Sequence, residues 1–152
     1  MKKIYTPLFL ALLISSCSIG TIKESKTQKN QVRDYDDYFD LHLEWKNLFS
    51  PAKSLYFVYI YSISCQHCER IKQDVLSVMD EHKEMFYLTE YATEIKTTNN
   101  VSETIGKETN EDVYILGTPT LLEISDHRLS LNIAGEKEIL SYLELLPHNI
   151  CD

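Results

Sequence analysis

Leu55-Tyr-Phe-Val-Tyr-Ile-Tyr61, then Ser62-Ile63-Ser64 and Cys65-Gln66-His67-Cys68, is the stretch on which the fold turns. Its first part is an unbroken run of aliphatic, β-branched and aromatic residues, the composition of a strand covered on both faces. Beyond it the period changes. Cys68, Ile71, Val75, Val78 or Met79, and His82 share one helical face, which predicts a helix from about Cys65 to Glu81 with Ser64 as its cap. Met85 to Tyr91 reads as a second strand. The order strand, helix, strand is a βαβ unit.

Downstream, Ala92 to Asp112 is polar and rich in Thr, Asn and Glu, with one short helix expected near Val101 to Lys107. Val113 to Leu116 leads into Gly117-Thr118-Pro119, a turn signal. Thr120 to Ser125 and Leu129 to Ala134 read as antiparallel strands joined tightly at Asp126-His127. Gly135 ends them, and Glu136 to Leu146 is amphipathic, with Ile139, Leu140, Leu143 and Leu146 inward and Pro147 as the stop. Upstream, Asp34 to Ser50 fits both periods. Phe39, Leu41, Leu43 and Trp45 alternate, while Tyr38, Leu41, Trp45, Leu48 and Phe49 fit a helical face. The expectation is a short extended piece turning helical at about Trp45 to Phe49.

The N-terminus carries different information. Met1-Lys2-Lys3 is basic, and the apolar run from Ile4 to Ile14 is broken only by Tyr5, Thr6 and Pro7. That run is too short to span a bilayer, which takes about 20 residues, but it has the length of a signal-peptide core. Ile14-Ser15-Ser16-Cys17 resembles the lipobox of bacterial lipoproteins, in which the signal is cut before the Cys and the thiol is lipidated. A secretory signal followed by a chance cysteine is the plainer alternative. The expected organisation is a lipoprotein signal peptide over 1–16, a lipid-anchored flexible tether over 17–34, and one domain over 35–152.

Composition sets limits on function. The 152 residues are 43% hydrophobic and 25% charged, with ten tyrosines and four glycines, enough for one core. A formal charge of −8 excludes an electrostatic footprint for nucleic acid. It also leaves no polybasic patch for anionic lipid, so membrane attachment falls to the lipid on Cys17.

The four cysteines are Cys17, Cys65, Cys68 and Cys151. Cys65 and Cys68 stand one helical turn apart on one side, close enough for a small disulfide ring. Cys65 follows a buried strand and opens a helix, so its sulfur lies near unpaired N–H groups and the positive end of the helix dipole. Both favour the thiolate, the attacking species. Cys68 sits a turn deeper. The chemistry expected is attack by Cys65, a mixed disulfide, then resolution by Cys68, or the reverse. Zinc would need about four ligands, and only scattered His67, His82, His127 and His148 are available besides. A structural bridge closing so short a loop stabilises least. Haem attachment would need His where Glu69 stands. Cys151 is left without an assigned partner.

Strand, Cys65-Gln66-His67-Cys68 at a helix start, strand, then Gly117-Thr118-Pro119 before a hairpin and a last helix: this order resembles the thioredoxin superfamily, over roughly Leu55 to Leu146. The resemblance implies a three-layer α/β/α fold with a central mixed β-sheet, and no cofactor beyond the redox-active Cys65–Cys68 disulfide. It implies that Pro119 is cis against the cysteine pair and that the backbone at Thr118 pairs with a partner's extended segment, making Thr118 and Pro119 the substrate-binding positions. Gln66 and His67, between the cysteines, are the tuning positions. In oxidising and isomerising relatives a His here is implied to stabilise the reactive thiolate, and an imidazole near Cys65 can donate to it. Departures are visible. Ser64 replaces the Trp that precedes the first Cys in thioredoxins proper, and Gln66-His67 replaces Gly-Pro. Tyr59 occupies the strand position of a buried acid, leaving Glu69 or a water as a weaker proton acceptor.

The function expected is an extracytoplasmic, membrane-anchored thiol–disulfide oxidoreductase acting on protein or peptide thiols and disulfides, restored by a redox partner protein. Two alternatives remain open. One is an accessory module that binds an exported peptide or partner protein, with Cys65–Cys68 as a static bridge. The other is a metal-trafficking protein using the two thiolates.

Overall fold

β1 (Leu55–Tyr61) is the strand about which everything else is arranged, and every residue from Tyr56 to Tyr61 is buried. The computed structural model describes residues 32–147. The signal peptide and Cys17, the tether up to residue 31, and Cys151 therefore lie outside the described residues. β1 pairs in parallel with β2 (Phe86–Glu90) and antiparallel with β5 (Thr120–Ser125), which pairs antiparallel with β6 (Arg128–Ala134). The strand order is β2-β1-β5-β6, a mixed sheet. Alternation along β1 sends Phe57, Tyr59 and Tyr61 to one face and Tyr56, Val58 and Ile60 to the other. Cross-strand packing fixes the register: Phe57 lies opposite Phe86, with ring centroids 5.0 Å apart.

On the first face lie α1 (Gln66–Glu81) and α2 (Glu136–Leu143), which touch each other. The apolar stripe of α1 is Cys68, Ile71, Val75, Leu76 and Met79, with Val78 at its margin. Lys72 buries its stem there and brings its ammonium out to Glu69 at 2.8 Å and Asp34 at 3.4 Å. A 3-10 helix over Tyr35–Leu41, kinked at Tyr38, completes this layer. It replaces the extended piece expected there. Its buried residues are Tyr35, Tyr38 and Leu41, spaced by three, which is the 3-10 repeat and not the alternation of a strand. Phe39, part of the supposed alternation, is 80% exposed. The docked chain already includes Arg33 and Asp34. The Gln73 side-chain amide brackets the Arg33 backbone at 3.2 and 2.7 Å, and Asp34 caps the 3-10 helix.

The second face is covered by short elements rather than long helices. Trp45 and Leu48, on a helical turn that falls where the sequence put one, pack there with Ile95, Val113 and Ile115. The polar 92–117 segment has too few apolar residues for an α-helix. It forms 3-10 turns at Val101–Thr104 and Asn110–Asp112 and a two-stranded parallel sheet, β3 (Lys96–Thr97) with β4 (Tyr114–Ile115). Asn132 of β6 holds this segment by donating to Thr104 Oγ1 at 3.1 Å and to the Tyr114 carbonyl at 2.8 Å. The hairpin turn at Asp126-His127 has positive φ at both residues, as a tight two-residue connection demands.

α2 stops at Leu143, short of the Leu146 expected, because Pro147 disfavours helical backbone before it and the last residues tighten into i,i+3 bonds. It starts at Gly135, whose φ of 105° and ψ of 150° lie in a region essentially reserved for glycine. Gly135 N–H also donates to the Pro119 carbonyl at 3.1 Å, so this turn supports the Thr118-Pro119 loop. Gly135→Ala is expected to lower unfolding free energy by about 1–3 kcal/mol in urea titrations, mostly from backbone strain. An unchanged midpoint would show that the loop yields freely. Among the described residues, no helix is long and apolar enough to cross a membrane.

Candidate active site

The end of β1 delivers Ser62-Ile63-Ser64 to the surface and Cys65 to the start of α1. The cap is Cys65 itself, not Ser64: its Sγ accepts the Cys68 N–H at 3.1 Å, while the Ser64 hydroxyl pairs with that of Ser62. A sulfur in the capping position meets the unpaired N–H groups directly. Cys65 is partly exposed and Cys68 is 1% exposed.

The two thiols are pushed in opposite directions. Burial alone would raise Cys65, but hydrogen bonds from the Cys68 thiol, from Thr118 and from the backbone of Cys68 and His67 outweigh it and hold it below the ordinary thiol value. Cys68 is pushed up to about 11, chiefly by burial and then by the Cys65 sulfur beside it, with a partial offset from the Ser62 backbone. Such a pair has the more readily ionised thiol on the outside and the less readily ionised one within.

Thr118 reaches the same sulfur. Its carbonyl accepts from the Cys65 thiol at 3.3 Å, and its side chain favours the thiolate. The Thr118–Pro119 peptide is cis. Thr120 Oγ1 donates to the Gly117 carbonyl at 2.6 Å and braces the turn. Thr118, distant in the chain, is thus brought to the Cys65–Cys68 pair.

His67 is placed differently from the expected contact. Its side chain is largely exposed and its Nδ1 lies 2.5 Å from Glu136 Oε1 and 2.6 Å from Arg70 Nη2. What His67 presents to Cys65 is its backbone N–H. Arg70 donates to the same Glu136 oxygen, and these partners, Arg70 first and His67 second, hold the Glu136 carboxyl below its usual range. Neither Arg70 nor Glu136 emerged from the sequence. The only available signal was the i,i+3 spacing of His67 and Arg70, since the contact with α2 is tertiary. Gln66 is exposed on the first turn of α1, and Glu69, considered as a proton acceptor, pairs with Lys72 at the surface. No cluster of three metal-ligating side chains occurs among the described residues. Surface cavities of about 320 and 330 Å³ are lined by other residues and take in neither cysteine.

A parallel β1–β2 pair joined through α1, an antiparallel hairpin on the other side of β1, a cysteine pair opening α1 and a cis-Pro loop against it define one architecture. The fold is thioredoxin-like. No family model matches the sequence, and no curated protein matches it. The structure of this chain has neighbours among solved structures. Thioredoxin f2 of Chlamydomonas reinhardtii is 12% identical, covering 70% of this chain and 97% of that one at a TM-score of 0.46. A Plasmodium falciparum thioredoxin is 16% identical, covering 68% and 91% at 0.48. Mitochondrial thioredoxin 3 of Saccharomyces cerevisiae is 15% identical, covering 67% and 87% at 0.43.

Proposed function

We propose that this protein is a thiol–disulfide oxidoreductase, tethered outside the cytoplasm through lipid on Cys17, acting on thiols and disulfides of other proteins or peptides. The observation that carries the reading is the inequality of the two thiols, Cys65 accessible and lowered, Cys68 buried and raised. In the reducing direction, Cys65 thiolate attacks one sulfur of a partner disulfide, and the partner's other sulfur leaves as a thiolate. Cys68, after losing its proton, attacks Cys65 Sγ. The Cys65–Cys68 bond forms, the mixed disulfide breaks, and the partner's second thiolate takes up a proton. A redox partner protein then restores the pair. The oxidising direction is the same sequence reversed.

Thr118 and Pro119 are the positions where a partner's extended segment would pair, with exposed Ile63 as an apolar flank beside Cys65. Gln66 and His67 are the residues through which the potential would be tuned, His67 through its backbone N–H on the Cys65 sulfur rather than through its imidazole. The basic start, the apolar run and Ser15-Ser16-Cys17 support export and lipidation.

The test is a redox titration of the protein in glutathione buffers, read by thiol alkylation and mass. A reversible transition between about −120 and −270 mV is expected, the range of dedicated exchange proteins. A pair that stays oxidised below about −300 mV would instead be a static bridge, and the chain a binding module.

A further inference from the structure

β1 carries a polar group that the fold leaves unanswered. Tyr59 is fully buried, and its hydroxyl has no hydrogen-bond partner. It lies on the α1 face of the sheet, in the same packed cluster as Cys68, and within electrostatic reach of both cysteine sulfurs. The neighbouring Tyr35 hydroxyl interacts with it electrostatically, but donates its own hydrogen bond to the Cys68 carbonyl at 3.5 Å. Leaving a buried hydroxyl unpaired is costly, and phenylalanine would fill the same space without that cost.

A neutral thiol is a poor acceptor, whereas a buried thiolate needs a donor. We propose that Tyr59 is a catalytic hydrogen-bond donor to Cys68 Sγ, engaged when Cys68 becomes the thiolate that resolves the mixed disulfide on Cys65. Tyr59 takes no proton in this step. Burial first, then Tyr35 and the two cysteines, keep its own proton bound far above the ordinary phenol range. The Cys68 proton leaves to solvent and is matched by the proton the departing thiolate takes up. The inference rests on the oxidoreductase reading.

The experiment uses the chain with Cys17→Ser and Cys151→Ser and 5,5′-dithiobis(2-nitrobenzoate) as the disulfide. Cys65 attack releases one thionitrobenzoate, and Cys68 attack on the resulting mixed disulfide releases the second, so stopped-flow absorbance resolves two phases. Tyr59→Phe should leave the first phase nearly unchanged. It should slow the second about tenfold or more at neutral pH, the size of a hydrogen bond to a charged group, and move its pH profile upward. Tyr35→Phe should leave that profile in place. An unaltered second phase in Tyr59→Phe overturns the inference, and so does an equal shift in both variants, which would report loosened packing. Absence of a second phase in the unsubstituted pair would overturn the oxidoreductase reading itself. Stability in urea should not fall in Tyr59→Phe, since no hydrogen bond is lost from the thiol form.

Discussion

Cys65→Ala should abolish disulfide exchange, lowering reduction of a protein disulfide by dithiothreitol about a thousandfold or more, because no other described group can replace the nucleophile. Cys68→Ala should behave differently. Its Cys65 still caps α1 and still meets Thr118, so attack proceeds. The mixed disulfide then has no internal thiol to break it, and covalent adducts through Cys65 should accumulate in non-reducing gels and disappear on reduction. The double variant should trap nothing. Turnover surviving in Cys65→Ala would move the nucleophile elsewhere, and two equally silent single variants would make the pair structural.

The second large effect is selectivity between the thiols. At neutral pH a thiol with a pKa of about 11 carries a thiolate fraction on the order of 10⁻⁴. Cys65, held below the ordinary value, carries far more. Iodoacetamide at pH 7 should therefore label Cys65 over Cys68 by about a hundredfold or more, with burial widening the gap. The sign of the pH dependence follows. A depressed pKa keeps Cys65 reactive as pH falls through the range where ordinary cysteines protonate, while a raised one keeps Cys68 silent until strongly alkaline pH. Peptide mapping of the alkylated protein across pH reads both. Equal labelling of the two cysteines near neutrality would refute the asymmetry on which the proposed function stands.

Much of this arrangement is legible in local sequence pattern. β1 begins and ends where its apolar run does, the hairpin turns at Asp126-His127, and α1 ends at Glu81, because each of these depends on residues close in the chain. Cys65 and Cys68 are visible for the same reason, since they sit where a strand gives way to a helix and the period changes abruptly, whereas Thr118 and Pro119 stand out only through the resemblance to the thioredoxin superfamily. The 3-10 helix over Tyr35–Leu41 is not visible, since its spacing of three lies between the strand and helix periods and only packing against β2 and the α1 layer selects it. The polar segment over 92–117 is equally opaque. A strand of two residues has no periodicity, and β3 exists because β4 is beside it.

The site divides in the same way. Local sequence determined which sulfur opens the helix and which lies a turn deeper, since helix geometry and the neighbouring strand follow from residues close in the chain. Tertiary structure decided what surrounds those sulfurs. It brought Thr118 to Cys65, turned the His67 side chain to Glu136, and set the unpaired Tyr59 hydroxyl in the cluster that contains Cys68. Long-range contacts of this kind depend on how sheet and helices pack, and packing is a property of surfaces assembled from distant residues, on which no window of sequence reports.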